Sequence, residues 1–176
     1  MKYITNYIYK KLFVILCFSA IIANQNEIVS NQYLSHKVEV GIESIVKDGE
    51  DYIISIYAIN PYDPIAGVRF KILPSDLFII KEVYGGRVEE KGFQIHHNKS
   101  GTILGFSMVA NTLDKSTIVS GPDKFKDNIV LQIRANANNL KEYNLDTAIN
   151  LECVFASKKG LVLESKYIPF NISQIK

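Results

Sequence analysis

The sequence has 176 residues, of which 47% are hydrophobic, and its formal net charge is +2. This length is enough for one domain with a real core and too short for two comfortable domains. The small net charge argues against nucleic-acid binding, which depends on a clear positive excess.

The first residues predict a secretory signal peptide. Lys2, Lys10 and Lys11 precede an apolar run from Leu12 to Ala23, and the chain then turns polar. The run is too short to cross a bilayer, which needs roughly 20 residues. We therefore expect a signal peptide at 1–23, a short leader at 24–36, secretion to the cell exterior and no membrane span. Loss of the three lysines would lower the net charge from +2 to −1.

The first half of the remaining chain alternates as β-strands do. "VEVGI" is followed by the dense apolar run "DYIISIYAIN", and "KDGED" between them is typical of a hairpin turn. After the loop "NPYDP", "GVRFKI" alternates again and Pro74 ends that strand, because proline cannot donate to a ladder. "LFIIKEVY" predicts a fourth strand that ends at Gly85.

The stretch "GFQIHHNKSGTILGFSM" raises the question of a histidine site. Successive side chains of a strand point to opposite faces, so His96 and His97 diverge and cannot share a metal ion. The sequence predicts a hairpin with "NKSG" as its turn. In that hairpin Ile103, Gly105 and Ser107 face outward, and the alternate residues from Leu104 face inward.

The last third of the chain completes an all-β pattern. "NIVLQIRANA" alternates, and "AINLECVFA" and "LVLESKYIPFNI" are joined by the turn "SKKG". About nine strands with regular turn signals predict a domain at 37–173 made of antiparallel sheets packed face to face. Cys153 is the only cysteine after the predicted signal, so a disulfide within the domain and a Cys-rich zinc site are excluded.

The sequence offers little chemistry for an enzyme. Ser107 lies in mid-strand, and "LGFSM" lacks the second glycine of a nucleophile elbow. Glu82, Glu89 and Glu90 lie near basic residues, as in a solvated loop, and no phosphate loop, zincin motif or calcium loop is present. We expect no catalytic activity, no cofactor and no metal site.

Carbohydrate binding is the alternative function. Sugar-binding sandwiches present flat aromatic surfaces, and the chain has ten Tyr and nine Phe. Tyr62 and Tyr84 fall in loops or at strand ends, where they could form a platform for a polysaccharide. Tyrosines at half-buried sheet edges are the simpler interpretation.

The order of these segments resembles a cohesin domain, a fold related to some cellulose-binding modules. The resemblance covers 37–172. "IAGVRFKI" followed by "SDLFII" resembles that family's third strand and the loop into the fourth, and "GTILGFSM" resembles its sixth strand. It implies a nine-stranded jelly-roll β-sandwich that binds a protein, a dockerin module, without catalysis, in extracellular polysaccharide-degrading or adhesion assemblies.

The resemblance also implies a binding face. In the family the dockerin lies on one sheet face, which would correspond here to strands at 65–73, 92–98, 101–109 and 128–137. The outward, partner-binding residues would be Gly67, Arg69, Lys71, His96, Ile103, Gly105, Ser107, Val130, Gln132 and Arg134. Many dockerin-binding cohesins carry Asn and Asp where this chain has Gly67 and Arg69. The donor Arg69 therefore favours a partner with acidic groups at that position, or a partner other than a dockerin.

Overall fold

The computed structural model describes residues 37–176; the predicted signal peptide and leader lie outside the described residues. Three short 3-10 helices lie at Lys126–Asn128, Leu140–Glu142 and Ile172–Gln174, and the main elements of the described domain are ten strands and one short α-helix. In chain order they are β1 (Lys37–Asp48), β2 (Asp51–Ile59), β3 (Ile65–Leu73), β4 (Phe78–Tyr84), α1 (Gly86–Glu90), β5 (Gln94–His97), β6 (Thr102–Phe106), β7 (Ile129–Ala137), β8 (Ala148–Ser157), β9 (Val162–Ile168) and β10 (Phe170–Asn171).

The strands form two layers that β9 connects. One layer has the order β4-β7-β2-β1-β9, and the other has the order β8-β3-β6-β5. The predicted all-β sandwich is confirmed. The prediction of purely antiparallel pairing is wrong at one place, because β9 runs parallel to β1 while it pairs antiparallel with β8. The structure has one strand more than the nine predicted, the two-residue β10, which pairs with β8.

The three predicted hairpins are confirmed as β1–β2, β5–β6 and β8–β9. Gly49 turns the first with φ of 66° and Gly160 turns the last with φ of 75°. Such positive φ angles cost a glycine little, which explains the residue at both turns. β3 ends at Leu73, directly before Pro74, as predicted.

The core lies between the two layers and is built from the inward residues of each strand. Phe70 of β3 and Phe155 of β8 are fully buried, with ring centroids 5.5 Å apart in an edge-to-face arrangement. Burial of each ring contributes roughly 1.5–3 kcal/mol. Ile54 and Ile56 of β2 face them from the opposite layer with no exposed surface. None of the helices in the described part of the chain has the length and apolar character needed to cross a membrane.

Polar side chains join the loop after β3 to the loop after β7. The Tyr143 hydroxyl donates to Asp76 Oδ1 at 2.9 Å, and Asn139 Nδ2 donates to Asp76 Oδ2 at 3.2 Å. These two donors hold the pKa of the Asp76 carboxyl below its usual range, because they favour its charged form.

We expect Tyr143→Phe to lower the thermal unfolding midpoint near pH 7. A carboxyl with a lowered folded-state pKa stabilises the fold above its unfolded pKa, about 3.9, and that stabilisation disappears as the pH falls through the folded value. The difference between wild type and variant should therefore shrink when unfolding is measured at progressively more acid pH. Tyr84→Phe is the control. A difference that stays constant down to the acid limit would contradict this role of Asp76.

Candidate functional site

The register of the β5–β6 hairpin decides which residues form its outer face. His96 lies opposite Leu104, and Asn98 N donates to Thr102 O at 3.1 Å, so the connecting loop is the three residues 99–101. The Asn98 side-chain oxygen accepts hydrogen bonds from the backbone N–H groups of Ser100 and Thr102. Gly101 completes the turn with φ of 77°. A four-residue turn would have shifted the pairing by one residue and reversed the faces of β6.

The predicted orientation of β6 is therefore wrong. Ile103 has no exposed surface, and Gly105 is buried. A Cβ at Gly105 would lie 2.8 Å from Ile95 Cδ1 and from Val68 Cγ2, so position 105 points into the core. Ser107 follows the end of β6, where its hydroxyl accepts hydrogen bonds from two backbone N–H groups of the next turn.

The placement of 128–137 on the same face is also wrong. β7 pairs with β2 and β4 in the other layer. Val130 is completely buried there, Gln132 Nε2 donates to Ser55 Oγ at 3.2 Å, and Arg134 Nη1 donates to Asp48 Oδ2 at 2.8 Å. The strand that lies beside β3 instead is β8, whose non-local pairing the sequence pattern did not reveal.

Four strands give the observed outer face, which we call the β8-β3-β6-β5 face. Arg69 lies between Val154 of β8 and Leu104 of β6, and His96 follows Leu104 in the same row. The face consists of the outward residues of the four strands: Glu152, Val154, Ala156, Gly67, Arg69, Lys71, Thr102, Leu104, Phe106, Gln94 and His96. Gly67, Arg69, Lys71 and His96 thus lie on one face; their role in binding stays a prediction.

The centre of this face is apolar and exposed. Leu104 is 45% exposed, Val154 38% and Phe106 37%. The His96 ring stacks on the Phe106 ring with centroids 5.9 Å apart and an interplanar angle of 24°. These three apolar residues were not predicted, because of the one-residue register error in β6 and the unknown neighbour of β3. Exposed apolar side chains on neighbouring strands of one sheet face are a frequent sign of a binding surface.

The outer face of the opposite layer is covered at its centre. Tyr57 of β2 is only 2% exposed, because its ring packs over Gly41 and against Phe125, whose ring centroid lies 4.5 Å away. Burial raises the pKa of the Tyr57 hydroxyl, and the nearby Glu39 carboxylate adds to this. The segment between β6 and β7 thus closes this surface.

Ion pairs and hydrogen bonds occupy the hairpin end of the same layer. Lys81 Nζ lies 2.5 Å from Asp51 Oδ1, and Arg134 bonds Asp48. Four charged side chains of this layer are therefore paired with one another, whereas the β8-β3-β6-β5 face presents an apolar, partly exposed centre.

The structure separates the two histidines and gives Glu89 a role in the backbone turn before α1. The divergence of His96 and His97 is confirmed, because they pair with Leu104 and Ile103, which point to opposite faces of β6. Glu89 accepts a hydrogen bond from the Gly85 N–H and so closes the turn into α1. Within residues 37–176 no three His, Cys, Asp or Glu side chains are grouped so that they could hold a metal ion.

The two tyrosines of the alternative carbohydrate site differ in exposure. Tyr62 is 57% exposed in the loop after β2, whereas Tyr84 is half-buried at the end of β4, opposite Gln132 of β7. Neither lies on the β8-β3-β6-β5 face. A polysaccharide platform at these residues stays a prediction.

Gly67 and Gly105 should respond oppositely to an added methyl group. At Gly67 the nearest atoms would be 3.7–3.8 Å away, which is ordinary contact, whereas at Gly105 two side-chain atoms lie at 2.8 Å. We expect Gly67→Ala to be neutral or slightly stabilising, and Gly105→Ala to destabilise by about 1–3 kcal/mol through overpacking. Urea unfolding of both variants measures this. Equal losses would contradict the assigned faces of β3 and β6.

Comparisons with known proteins agree with this geometry at the level of fold. No protein-family model matches the sequence, and no curated protein matches it. Solved structures do match: the described domain has the β-sandwich fold of cohesin modules. The non-cellulosomal cohesin from the hyperthermophilic archaeon Archaeoglobus fulgidus matches with a TM-score of 0.50 and 10% identity, over 76% of this chain and 87% of that chain.

Two further cohesins were solved with dockerins. The third ScaB cohesin of R. flavefaciens, in complex with a group 1 dockerin, matches with a TM-score of 0.49 and 14% identity, over 78% of this chain and 96% of that chain. The cohesin of the Coh-OlpC-Doc435 complex from Clostridium thermocellum matches with a TM-score of 0.48 and 14% identity, over 77% and 91% of the two chains. Identities this low establish the fold and do not assign a partner.

Proposed function

We propose that this chain is an exported, non-catalytic module that binds a protein partner of the dockerin type through the β8-β3-β6-β5 face. The observation that carries the proposal is the contrast between the two outer surfaces. The surface over β2 is closed by Phe125 and Tyr57, whereas the opposite surface presents Leu104, Phe106 and Val154 to solvent.

The composition of the face suits a protein interface. An apolar centre of three side chains is bordered by polar and charged residues, as in interfaces with a hydrophobic core and a polar rim. Dockerins are the first partner class to test, because the order of segments in the sequence resembles a cohesin and that resemblance implies a dockerin partner. Export, which the predicted signal peptide implies, would bring the module to a cellular exterior where such assemblies work.

The experiment that tests the proposal compares protein and carbohydrate ligands directly. The purified protein is immobilised and exposed to recombinant dockerin modules encoded by the same genome, with insoluble cellulose and xylan as parallel arms. We expect saturable binding of at least one dockerin and no retention on polysaccharide. Retention on polysaccharide that is lost in Tyr62→Ala and Tyr84→Ala, with no dockerin bound, would instead support the carbohydrate function.

A further inference from the structure

Among residues 37–176, Arg69 differs from Arg87 and Arg134 because its guanidinium has no hydrogen-bond acceptor. Arg87 donates to Ala58 O and to Asn60 Oδ1, each at 3.0 Å, and Arg134 donates to Asp48. Among residues 37–176 the Arg69 guanidinium has neither an ion pair nor a hydrogen bond. Arg69 is also the arginine that lies exposed on the open face.

The surroundings of Arg69 sharpen this difference. Its neighbours on the adjacent strands are Val154 and Leu104, which are apolar and partly exposed. An open cleft of about 300 Å³ adjoins it, lined by Arg69, Glu152, Cys153 and Val154. Glu152 is the one carboxylate among the outward residues of β8, β3, β6 and β5, and it lies opposite Lys71 rather than Arg69.

Docking a partner on this face would take the guanidinium out of water. Burying a charge without a partner is costly, and a desolvated arginine is satisfied best by a carboxylate that accepts two parallel hydrogen bonds. A partner that brings an apolar or basic group to this position would leave the charge uncompensated and would be rejected. The position of Arg69 between apolar side chains thus makes it a selective element.

Resting on the proposed protein-binding function, we propose that the partner is recognised by an Asp or Glu carboxylate that pairs with Arg69 while flanking apolar side chains pack on Leu104, Phe106 and Val154. The face would then select a partner that carries a carboxylate. Arg134 is not available for this role, because it is already paired with Asp48 within its own sheet.

A displayed library of dockerin modules with randomised surface positions tests the proposal. The library is selected in parallel on the wild-type protein, on Arg69→Gln and on the control Arg134→Gln. We expect Asp and Glu to be enriched several-fold at randomised positions after selection on wild type and on Arg134→Gln, and not after selection on Arg69→Gln. A selected clone whose carboxylate is changed to Lys should recover binding to Arg69→Glu.

The possible failures are distinguishable. In one failure, the selected clones no longer bind the Leu104→Asp variant, yet clones selected on wild type and on Arg69→Gln contain Asp and Glu equally often. This result would overturn the carboxylate proposal and leave the protein-binding face intact. If no selected clone depends on Leu104, both the binding face and the carboxylate proposal are wrong. Melting curves of each variant establish that loss of binding does not reflect unfolding.

Discussion

Leu104→Asp is expected to weaken partner binding by about 100-fold or more, which corresponds to about 2.7 kcal/mol. Leu104 lies at the centre of the β8-β3-β6-β5 face, where interface residues contribute most. The substitution removes an apolar contact, and the new carboxylate lies directly opposite Arg69, with which it would pair. A partner would then lose both the apolar contact with Leu104 and access to the Arg69 guanidinium. Leu104→Ser, which leaves Arg69 unpaired, should cost less.

Ile79→Asp is the matched control for this experiment. Ile79 is 57% exposed on β4, an edge strand of the other layer, so the same chemical change is made on a surface that we expect to stay free. Binding isotherms and melting curves are measured for both variants. Equal losses of affinity in Leu104→Asp and Ile79→Asp would contradict the assignment of the face.

Gly86→Ala is expected to cause the largest loss of stability among the glycine substitutions, about 3 kcal/mol or more. Gly86 has φ of 64°, and an added Cβ would lie 2.5 Å from the Val130 carbonyl oxygen and 2.9 Å from that of Ile129. Backbone atoms of β7 cannot move aside as a flexible side chain can, so the conflict adds to the cost of the left-handed conformation.

Gly49→Ala isolates the part of this loss that comes from conformation alone. Gly49 has φ of 66°, nearly the same angle, and no atom lies within 4 Å of its added Cβ. We expect Gly49→Ala to cost about 1–2 kcal/mol. The free energies of unfolding in urea measure the comparison. A similar loss in both variants would show that the approach of Gly86 to β7 is not a tight contact.

Local patterns in the sequence predicted strands and turns well because their causes are local. The alternation in β1 to β4, the glycines of the hairpin turns and the stop at Pro74 all act within a few residues. The same patterns led to the all-β sandwich. Pairing between distant strands was less predictable: β7 and β8 alternate similarly, and nothing within either strand specifies that β8 pairs with β3.

For the same reason, the sequence predicted the part of the candidate face on β3 and β5 but not the part on β6. Arg69, Lys71 and His96 follow from simple alternation in β3 and β5, and the structure places them on one face. The orientation of β6 depended on whether the hairpin loop had three or four residues. The Asn98 side chain, which holds the three-residue loop together, was the available signal. A three-residue loop places Leu104 and Phe106 on the outward side of β6.

The measurement that tests the central claim most directly is an NMR titration of the isotope-labelled protein. The ligand is the dockerin that binds most tightly among those encoded by the same genome. The account predicts that changes in amide chemical shift concentrate in β3, β5, β6 and β8, with Arg69 and Leu104 among the most affected residues. Changes concentrated in β1, β2, β4 and β7, or around Tyr62 and Tyr84, would contradict it.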